Sequence, residues 1–261
     1  MKGDVGSKLN PTQHDGVKHG FPLEINDWNS LILRFFANCC LLGKLSKCSY
    51  NGYMTNPAVT DQIAPLRHFV AQMTQLVGQS QAEDIVRPKA KALLQDLIKT
   101  DDWLPDFCAV PHPQYYQQFL LHADPLERFS VVSFVWGPGQ ATPIHDHMVW
   151  GLIGMLRGSE KGQRYARNVA GQLEAVGHEE TLLPGDVDEV SPSIGDIHIV
   201  KNAFDDKPSI SIHVYGGNIG AVKRHVYDPQ TGSIKNFVSG YSSSQIPNLW
   251  DRSAHVRAEL N

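Results

Sequence analysis

Residues 129–147 read FSVVSFVWGPGQATPIHDH. The first half is rich in aromatic and β-branched residues, which favours a strand, and the segment GPGQ that follows is a turn signal. His145 and His147 then lie two residues apart, so in a strand both imidazoles point to the same face and can share one metal ion. This stretch therefore predicts a strand, a turn and a metal-binding histidine pair in close succession.

Further short runs with strand character follow at residues 150–156, 197–200 and 209–215. They are separated by the turn signals PGD, PSIGD and DDKP. Many short strands with such turns predict a mainly β fold, a small antiparallel barrel or jelly roll over about residues 128–228. The interior of such a barrel can hold a ligand.

Two amphipathic segments precede the predicted barrel. Apolar residues recur at three- and four-residue steps from Thr60 to Gly78, and again over about residues 81–99. Pro88 marks a break or a new first turn in the second segment. We expect two helices over about residues 60–100, packed on the outside of the barrel.

The composition is that of an ordinary globular protein, with 41% hydrophobic and 19% charged residues in a chain of 261. The formal net charge of -4 gives no basic footprint for a nucleic acid. The most apolar stretch, residues 31–43, is interrupted by Arg34 and Asn38 and is shorter than the ~20 residues of a membrane span. No cysteine pair has CxxC spacing, so we expect a reduced, cytoplasmic protein whose partner is a small molecule rather than a membrane or a nucleic acid.

The start of the chain differs from the rest. Residues 1–20 are polar and lack apolar periodicity, and residues 1–53 as a whole predict a poorly ordered or atypical N-terminal extension. The functional domain is predicted over residues 54–240 and a C-terminal tail over residues 241–261. The expected oligomeric state is a monomer or a weak homo-oligomer.

A second constellation lies in the run SISIHVY, where polar and apolar residues alternate strictly. Ser211, His213 and Tyr215 therefore project from one face of a strand and can form a hydrogen-bonded row. Buried polar groups cost free energy unless each is satisfied, so a polar row on an inward face indicates function.

The histidine pair stands in a wider pattern. The spacing of Gly139, His145, His147 and Gly158 resembles the first motif of the cupin superfamily. This resemblance implies a small conserved β-barrel, of the jelly-roll type, that carries a metal ion inside.

The second cupin motif also has a counterpart, since PSIGDIHIVKN at residues 192–202 resembles it with one residue more between proline and glycine. The resemblance implies that His198 is a third ligand on a neighbouring strand. Gly151 occupies the position of the usual glutamate ligand. Three neutral histidines leave the charge of a divalent ion uncompensated, which favours an anionic ligand such as a thiolate, and iron(II) suits this role better than zinc.

Three histidines without a carboxylate, together with the Ser211, His213 and Tyr215 row, resemble the thiol dioxygenases, the family that contains cysteine dioxygenase and 3-mercaptopropionate dioxygenase. Residues 129–160 and 196–219 are similar to its bacterial branch, and the resemblance covers about residues 54–240. It implies an Fe(2+) enzyme that transfers both atoms of O2 to the sulfur of a small mercapto-carboxylate, with the row as an outer-sphere relay.

Two positions bear on the substrate within this family. Gly151 stands where mammalian cysteine dioxygenases have a cysteine that cross-links to the relay tyrosine, so this cross-link cannot form. Ile212 stands where cysteine dioxygenases have a proline after the serine. Both differences favour 3-mercaptopropionate, converted to 3-sulfinopropionate.

The resemblance also implies two substrate-binding residues. Arg224, eleven residues after His213, matches an arginine that lies near the substrate carboxylate, a role suited to a planar guanidinium. Gln118 falls at the position where cysteine dioxygenases carry a carboxylate-binding arginine. If the register is shifted by one residue, Gln117 takes this position instead.

Three other interpretations remain open at the level of sequence. The enzyme is a cysteine dioxygenase that makes cysteine sulfinate, or it oxidises another mercapto-carboxylate such as mercaptosuccinate. A three-histidine zinc site with bound water would instead support a hydrolase or lyase. A cupin sensor that binds its ligand without turnover is the non-enzymatic alternative.

Overall fold

A computed structural model describes residues 61–242 of the chain. The N-terminal extension predicted over residues 1–53 lies outside the described residues, as does the predicted tail apart from residues 241–242. Between residues 61 and 242, no helix is long and apolar enough to cross a membrane.

Two helices open the described part of the chain, α1 at Ala64–Gln79 and α2 at Glu83–Leu97. The predicted break at Pro88 is wrong, because α2 runs through this residue. Pro88 is exposed, and so is Asp84, the residue whose carbonyl loses its partner when the proline N–H is missing. The cost of the lost hydrogen bond is therefore reduced by solvent.

The strands are β1 Gln117–Ala123, β2 Ser130–Trp136, β3 Ile144–His145, β4 Gly151–Arg157, β5 Glu160–Arg167, β6 Leu173–Leu182, β7 Val187–Val190, β8 Ile197–Asn202, β9 Ser209–Tyr215, β10 Arg224–Tyr227 and β11 Ile234–Phe237. They form two antiparallel sheets, one of five strands in the order β1-β2-β9-β4-β7 and one of six in the order β11-β10-β3-β8-β5-β6. The prediction of a mainly β fold with two antiparallel sheets is confirmed. The sheets extend beyond residues 128–228 at both ends, because β1 is an edge strand of the five-stranded sheet and β11 is an edge strand of the six-stranded sheet.

The largest apolar core joins the helices to the outer face of the five-stranded sheet, which confirms that the helices pack outside. Strand β9 lies in the middle of this sheet and all seven of its residues are buried. Its side chains Ile210, Ile212 and Val214 belong to the core shared with α1 and α2. The alternate side chains of β9 therefore face the interior between the sheets.

The turn between β4 and β5 carries the chain from one sheet to the other at Gly158. Its φ of +80° lies in the left-handed region, and an added Cβ would stand 2.4 Å from Ser209 Oγ. Only glycine fits this crossing.

Candidate active site

Three histidines from the six-stranded sheet converge inside the barrel. His145 ends β3, His147 follows two residues later, and His198 lies directly opposite His145 on β8. The three ring centroids are 4.8 to 4.9 Å apart, and one ligand atom from each residue lies within 4.8 Å of the others. The structure thus brings together the three residues that the sequence predicted as metal ligands, and all three are buried.

Hydrogen bonds on the far side orient two of these rings. His145 Nδ1 lies 3.0 Å from the carbonyl oxygen of Pro143, and His147 Nδ1 lies 2.9 Å from Asp196 Oδ1. The other carboxylate oxygen of Asp196 accepts the backbone N–H groups of His147 and Met148. With Nδ1 protonated toward these acceptors, both rings present the Nε2 lone pair to the centre.

The electrostatics of the site keep the imidazoles of His145 and His198 neutral. Burial and the neighbouring His147 lower the pKa of His145 to about 3. Burial and the other two histidines hold the pKa of His198 well below its usual range. Neutral imidazoles with free lone pairs are the state that binds a metal ion.

The polar row lies on the inward face of β9. Ser211 Oγ is 2.8 Å from His213 Nε2, and His213 Nδ1 is 2.8 Å from the hydroxyl of Tyr215. Burial holds the pKa of His213 well below its usual range and raises the pKa of Tyr215 above its usual range. Both groups are therefore uncharged at neutral pH. The Tyr215 ring stacks on His147 with 5.5 Å between centroids, which places the row against the metal-binding residues.

A cavity of about 270 Å³ opens beside His145 and contains both predicted substrate-binding residues. It is lined by Tyr116, Gln118, Phe134, Thr142, Pro143, His145, Arg224, Val226, Lys235 and Phe237. Gln118 is the glutamine that lines it, whereas the amide of Gln117 donates to the carbonyl oxygen of Val110.

A protein-family profile described as cysteine dioxygenase type I matches residues 57–230. The chain belongs to this family. Its members are thiol dioxygenases, oxidoreductases that incorporate O2, so the enzymatic interpretation and the thiol dioxygenase resemblance are confirmed.

Solved structures that match part of this chain include a protein from Thermus thermophilus, with 20% identity over 43% of this chain and 92% of that chain and a TM-score of 0.34. A cupin superfamily protein from Desulfitobacterium hafniense is 13% identical over 42% of this chain and 84% of its own, with a TM-score of 0.32. A Cupin 2 conserved barrel domain protein from Salinispora arenicola is 18% identical over 44% of this chain and 87% of its own, with a TM-score of 0.33.

Gly151 and Ile212 are the two positions that bear on the choice of thiol in this member of the cysteine dioxygenase type I family. They lie in different surroundings. Gly151 lies opposite Tyr215 across β4 and β9, and an added Cβ would stand 2.9 Å from two carbons of the Tyr215 ring. Ile212 instead packs with the helices, on the outer face of β9. Its side chain therefore cannot contact a substrate beside His145, and only Gly151 acts on the interior directly.

Sequence reasoning missed Asp196 and Lys235. Asp196 stands two residues before His198, and an acidic residue at this spacing from a ligand is the signal that would have pointed to it. Lys235 lies on β11, beyond the predicted end of the barrel at residue 228. Its side chain lines the cavity together with Phe237, but residues 234–237 read IKNF and lack the polar and apolar alternation that would have predicted a strand here.

Proposed function

We propose that this thiol dioxygenase uses iron(II) and acts best on 3-mercaptopropionate, which it converts to 3-sulfinopropionate. The choice of substrate rests on one observation. The cavity beside His145 is lined by two cationic side chains, Arg224 and Lys235, and by no acidic side chain among the described residues. Such a pocket favours a thiol that carries a carboxylate and no amine.

Arg224 is the main support for the carboxylate. The residue is only 3% exposed, yet within residues 61–242 its guanidinium forms no ion pair with a carboxylate. Nη2 donates to Ser239 Oγ at 2.7 Å, while Nε has no hydrogen-bond partner in the described part of the chain. A buried cation without a counter-ion is costly, so a bound carboxylate would supply the missing partner.

Gln118 adds a polar group to the same cavity. Like Arg224, this side chain lines the space beside His145. The side-chain amide can donate an N–H to a substrate carboxylate without adding a third positive charge. Arg224 and Gln118 are thus the two groups that we assign to substrate binding.

The lack of an acidic residue in the lining bears on L-cysteine. At neutral pH its α-ammonium group would enter the cavity beside Arg224 and Lys235 without a carboxylate partner. A desolvated positive charge beside like charges is disfavoured. 3-Mercaptopropionate has the same thiol and carboxylate but no ammonium group, so it avoids this cost.

The donor set fits iron(II). Three neutral imidazoles from His145, His147 and His198 can hold the ion and leave other coordination positions open. When bound, the ion would bring the substrate thiolate and dioxygen together so that both oxygen atoms are transferred to sulfur. An anionic thiolate balances part of the positive charge, because no carboxylate of the described residues belongs to the donor set.

The chain's own residues orient the reactants and control the protons. Arg224 and Gln118 bind the carboxylate and direct the thiol toward the histidines. Tyr215 holds a proton on its hydroxyl beside the metal-binding residues, since burial raises its pKa. His213 orients that hydroxyl and Ser211 holds the histidine tautomer, as outer residues of metal sites commonly do. Phe134 stacks on His213 at 3.9 Å between centroids and excludes water from the row.

The proposal is tested by loading the full chain with iron(II) without oxygen and measuring O2 uptake with 3-mercaptopropionate, L-cysteine and cysteamine. Mass spectrometry then identifies the products. We expect sulfinate formation matched to O2 uptake, with kcat/KM highest for 3-mercaptopropionate and lowest for cysteamine, which has an amine and no carboxylate. A preference for L-cysteine would refute the substrate, and no uptake with any thiol would refute the dioxygenase reaction.

Arg224→Gln with Lys223→Gln as its matched control isolates the carboxylate contact. Both variants remove one positive charge, but Lys223 lies outside the cavity lining. Arg224→Gln should raise KM for 3-mercaptopropionate by about 10-fold or more, the effect of losing a charge-assisted hydrogen bond. Equal KM values in the two variants would contradict the assignment.

A further inference from the structure

Glu160 is a buried acidic residue that the mechanism above does not use. It is the first residue of β5, directly after the crossing at Gly158, and it is 1% exposed. Within residues 61–242, neither of its carboxylate oxygens forms a hydrogen bond of normal length and angle. Buried polar groups nearly always have partners, so this carboxyl group needs an explanation.

The Glu160 carboxyl group interacts with the end of the relay row. The Ser211 hydroxyl and the Trp136 indole N–H partly offset the effect of burial, which raises the pKa of Glu160 to about 7. Trp136 Nε1 also lies 3.4 Å from Ser211 Oγ. The carboxyl group therefore stands at the far end of the row from Tyr215.

No counter-ion reaches Glu160 from the described strands around it. Its cross-strand neighbours are Leu182 on β6 and Asn202 on β8, and the Asn202 amide is bonded to backbone carbonyls. Arg164, four residues further along β5, pairs with Asp188. None of the charged side chains among the described residues shifts the pKa of Glu160.

We propose that Glu160 is the fourth member of the relay and sets the direction of its hydrogen bonds, a role that rests on the proposed function of Tyr215. Ser211 and His213 can each act as donor or acceptor, and the two neutral tautomers of His213 give the row two directions. The protonation state of Glu160 selects between them. Glu160 is a positioning residue, because it acts on Tyr215 through Ser211 and His213.

When Glu160 is ionised, the Ser211 hydroxyl donates to its carboxylate. Ser211 Oγ then accepts the Nε2 proton of His213, and His213 Nδ1 accepts the hydroxyl proton of Tyr215. The Tyr215 proton is thus directed into the row and away from the metal-binding residues.

When Glu160 is protonated, each hydrogen bond reverses. The carboxylic acid donates to Ser211 Oγ, Ser211 donates to His213 Nε2, and His213 Nδ1–H donates to the oxygen of Tyr215. The Tyr215 hydroxyl then has its proton free to donate to substrate or dioxygen. This is the active direction, so activity should fall as rising pH removes the Glu160 proton to water.

Glu160→Gln tests the assignment, because its amide N–H donates to Ser211 as the protonated acid does but does not ionise. At pH 6, kcat should agree with wild type within about 2-fold, whereas at pH 8 wild type should fall about 10-fold below the variant, the expected loss one unit above a pKa near 7. Glu179→Gln is the matched control, since this acid on the neighbouring strand pairs with Lys201 and should leave the wild-type profile unchanged. Iron content and melting temperature are measured for every variant.

A second readout does not depend on catalysis. In the metal-free full chain, ¹⁵N NMR of His213 should show the proton moving from Nδ1 to Nε2 as pH rises in wild type, and no such exchange in Glu160→Gln. If Glu160→Gln fails to fold, Ser211→Ala serves instead, because it separates Glu160 from His213 and should remove the same pH step.

Failure of the proposed function and failure of the Glu160 assignment would give different results. If no thiol is oxidised, the proposed function is wrong, but a tautomer exchange that depends on Glu160 still supports the present assignment. If wild type and Glu160→Gln share one pH profile, or the His213 tautomer does not change with pH, the assignment is overturned while thiol oxidation stands.

Discussion

The two sheets contribute different parts of the active site and hold them by different forces. The six-stranded sheet carries the metal-binding histidines and Arg224, and the strand with His145 is only two residues long. The five-stranded sheet carries the row on β9, seven residues long and buried on both faces. In the first set, hydrogen bonds to the Pro143 carbonyl oxygen and to Asp196 orient the rings of His145 and His147. The second set is held by packing of β9 against the helices.

This difference predicts that metal binding and turnover can be changed separately. Asp146 lies between the ligands His145 and His147, and its carboxylate accepts the backbone N–H of His225 and the hydroxyl of Tyr227. These hydrogen bonds hold the segment between the two ligands against β10. Replacing the polar groups that orient the histidines should therefore weaken metal binding. Replacing side chains on the inner face of β9 should instead slow turnover while the metal ion stays bound.

The largest effect is expected for His198→Ala, which removes one of the three ligands from the six-stranded sheet. Bound iron and thiol-dependent O2 uptake should both be lost, as measured by metal analysis and an oxygen electrode. His178→Ala is the control, because this histidine is exposed on β6 and should keep both. An iron-replete, active His198→Ala protein would disprove the ligand assignment.

Tyr215→Phe should give the opposite pattern, since it removes only the hydroxyl at the end of the row. We expect kcat to fall about 100-fold, within the range of lost proton-transfer or hydrogen-bond catalysis, while iron content is unchanged. Metal analysis and steady-state kinetics on the same preparation distinguish the two sheets. Loss of iron from this variant would mean that the row positions the ligands rather than the reactants.

Asp196→Asn should weaken metal binding by about 10-fold, because residues that orient a ligating histidine typically contribute about 10- to 100-fold to affinity. Competition with a chelator measures the change. Asp206→Asn, an exposed change of the same chemistry, is the control and should bind iron as wild type does. Equal affinities in the two variants would show that packing alone orients His147.

The sequence predicted the parts of the site that follow from periodicity. Ser211, His213 and Tyr215 alternate along β9, so their shared face follows from strand geometry. His145 and His147 were paired by the same rule, but His147 lies beyond the end of β3, and its ring is oriented by the hydrogen bond to Asp196. The fold class followed from short strands and their turns. Glu160 could not be recognised in this way, because an acidic residue after a glycine turn is usually exposed. Of the residues of β5, Glu160 alone is buried, and this depends on how the first residue of the strand packs in the folded chain.

The pocket was predicted less completely than the metal ligands. Arg224 and Gln118 came from a family resemblance, and the choice between Gln117 and Gln118 depended on the register of β1 against β2. Lys235 lies on an edge strand whose four residues carry too weak a pattern to extend the predicted barrel. Edge strands and registers depend on tertiary pairing, which local sequence does not specify.

A smaller effect is expected for Gly151→Ala, which acts across the five-stranded sheet. The new methyl group would stand 2.9 Å from the Tyr215 ring and from Val190 Cγ2, so the ring must shift. Overpacking of this kind costs about 1–3 kcal/mol. We expect a lower melting temperature and a several-fold lower kcat with iron retained. Gly162→Ala, where no atom lies within 4 Å of the added Cβ, is the control.

The smallest effect concerns the pH dependence of stability. Burial raises the pKa of Glu160 from its usual 4.5 to about 7, so between these values the folded state binds the proton more tightly than the unfolded state does. Stability contributed by this group is complete below pH 4.5 and is lost as pH rises through about 7. The melting temperature of wild type relative to Glu160→Gln should therefore fall from about pH 5 to about pH 8, by on the order of 5 °C. The buried histidines titrate in both proteins, so their contributions cancel in this difference. A constant difference across this range would mean that Glu160 keeps an ordinary pKa, and the carboxyl group would then be ionised at neutral pH despite its burial beside Ser211.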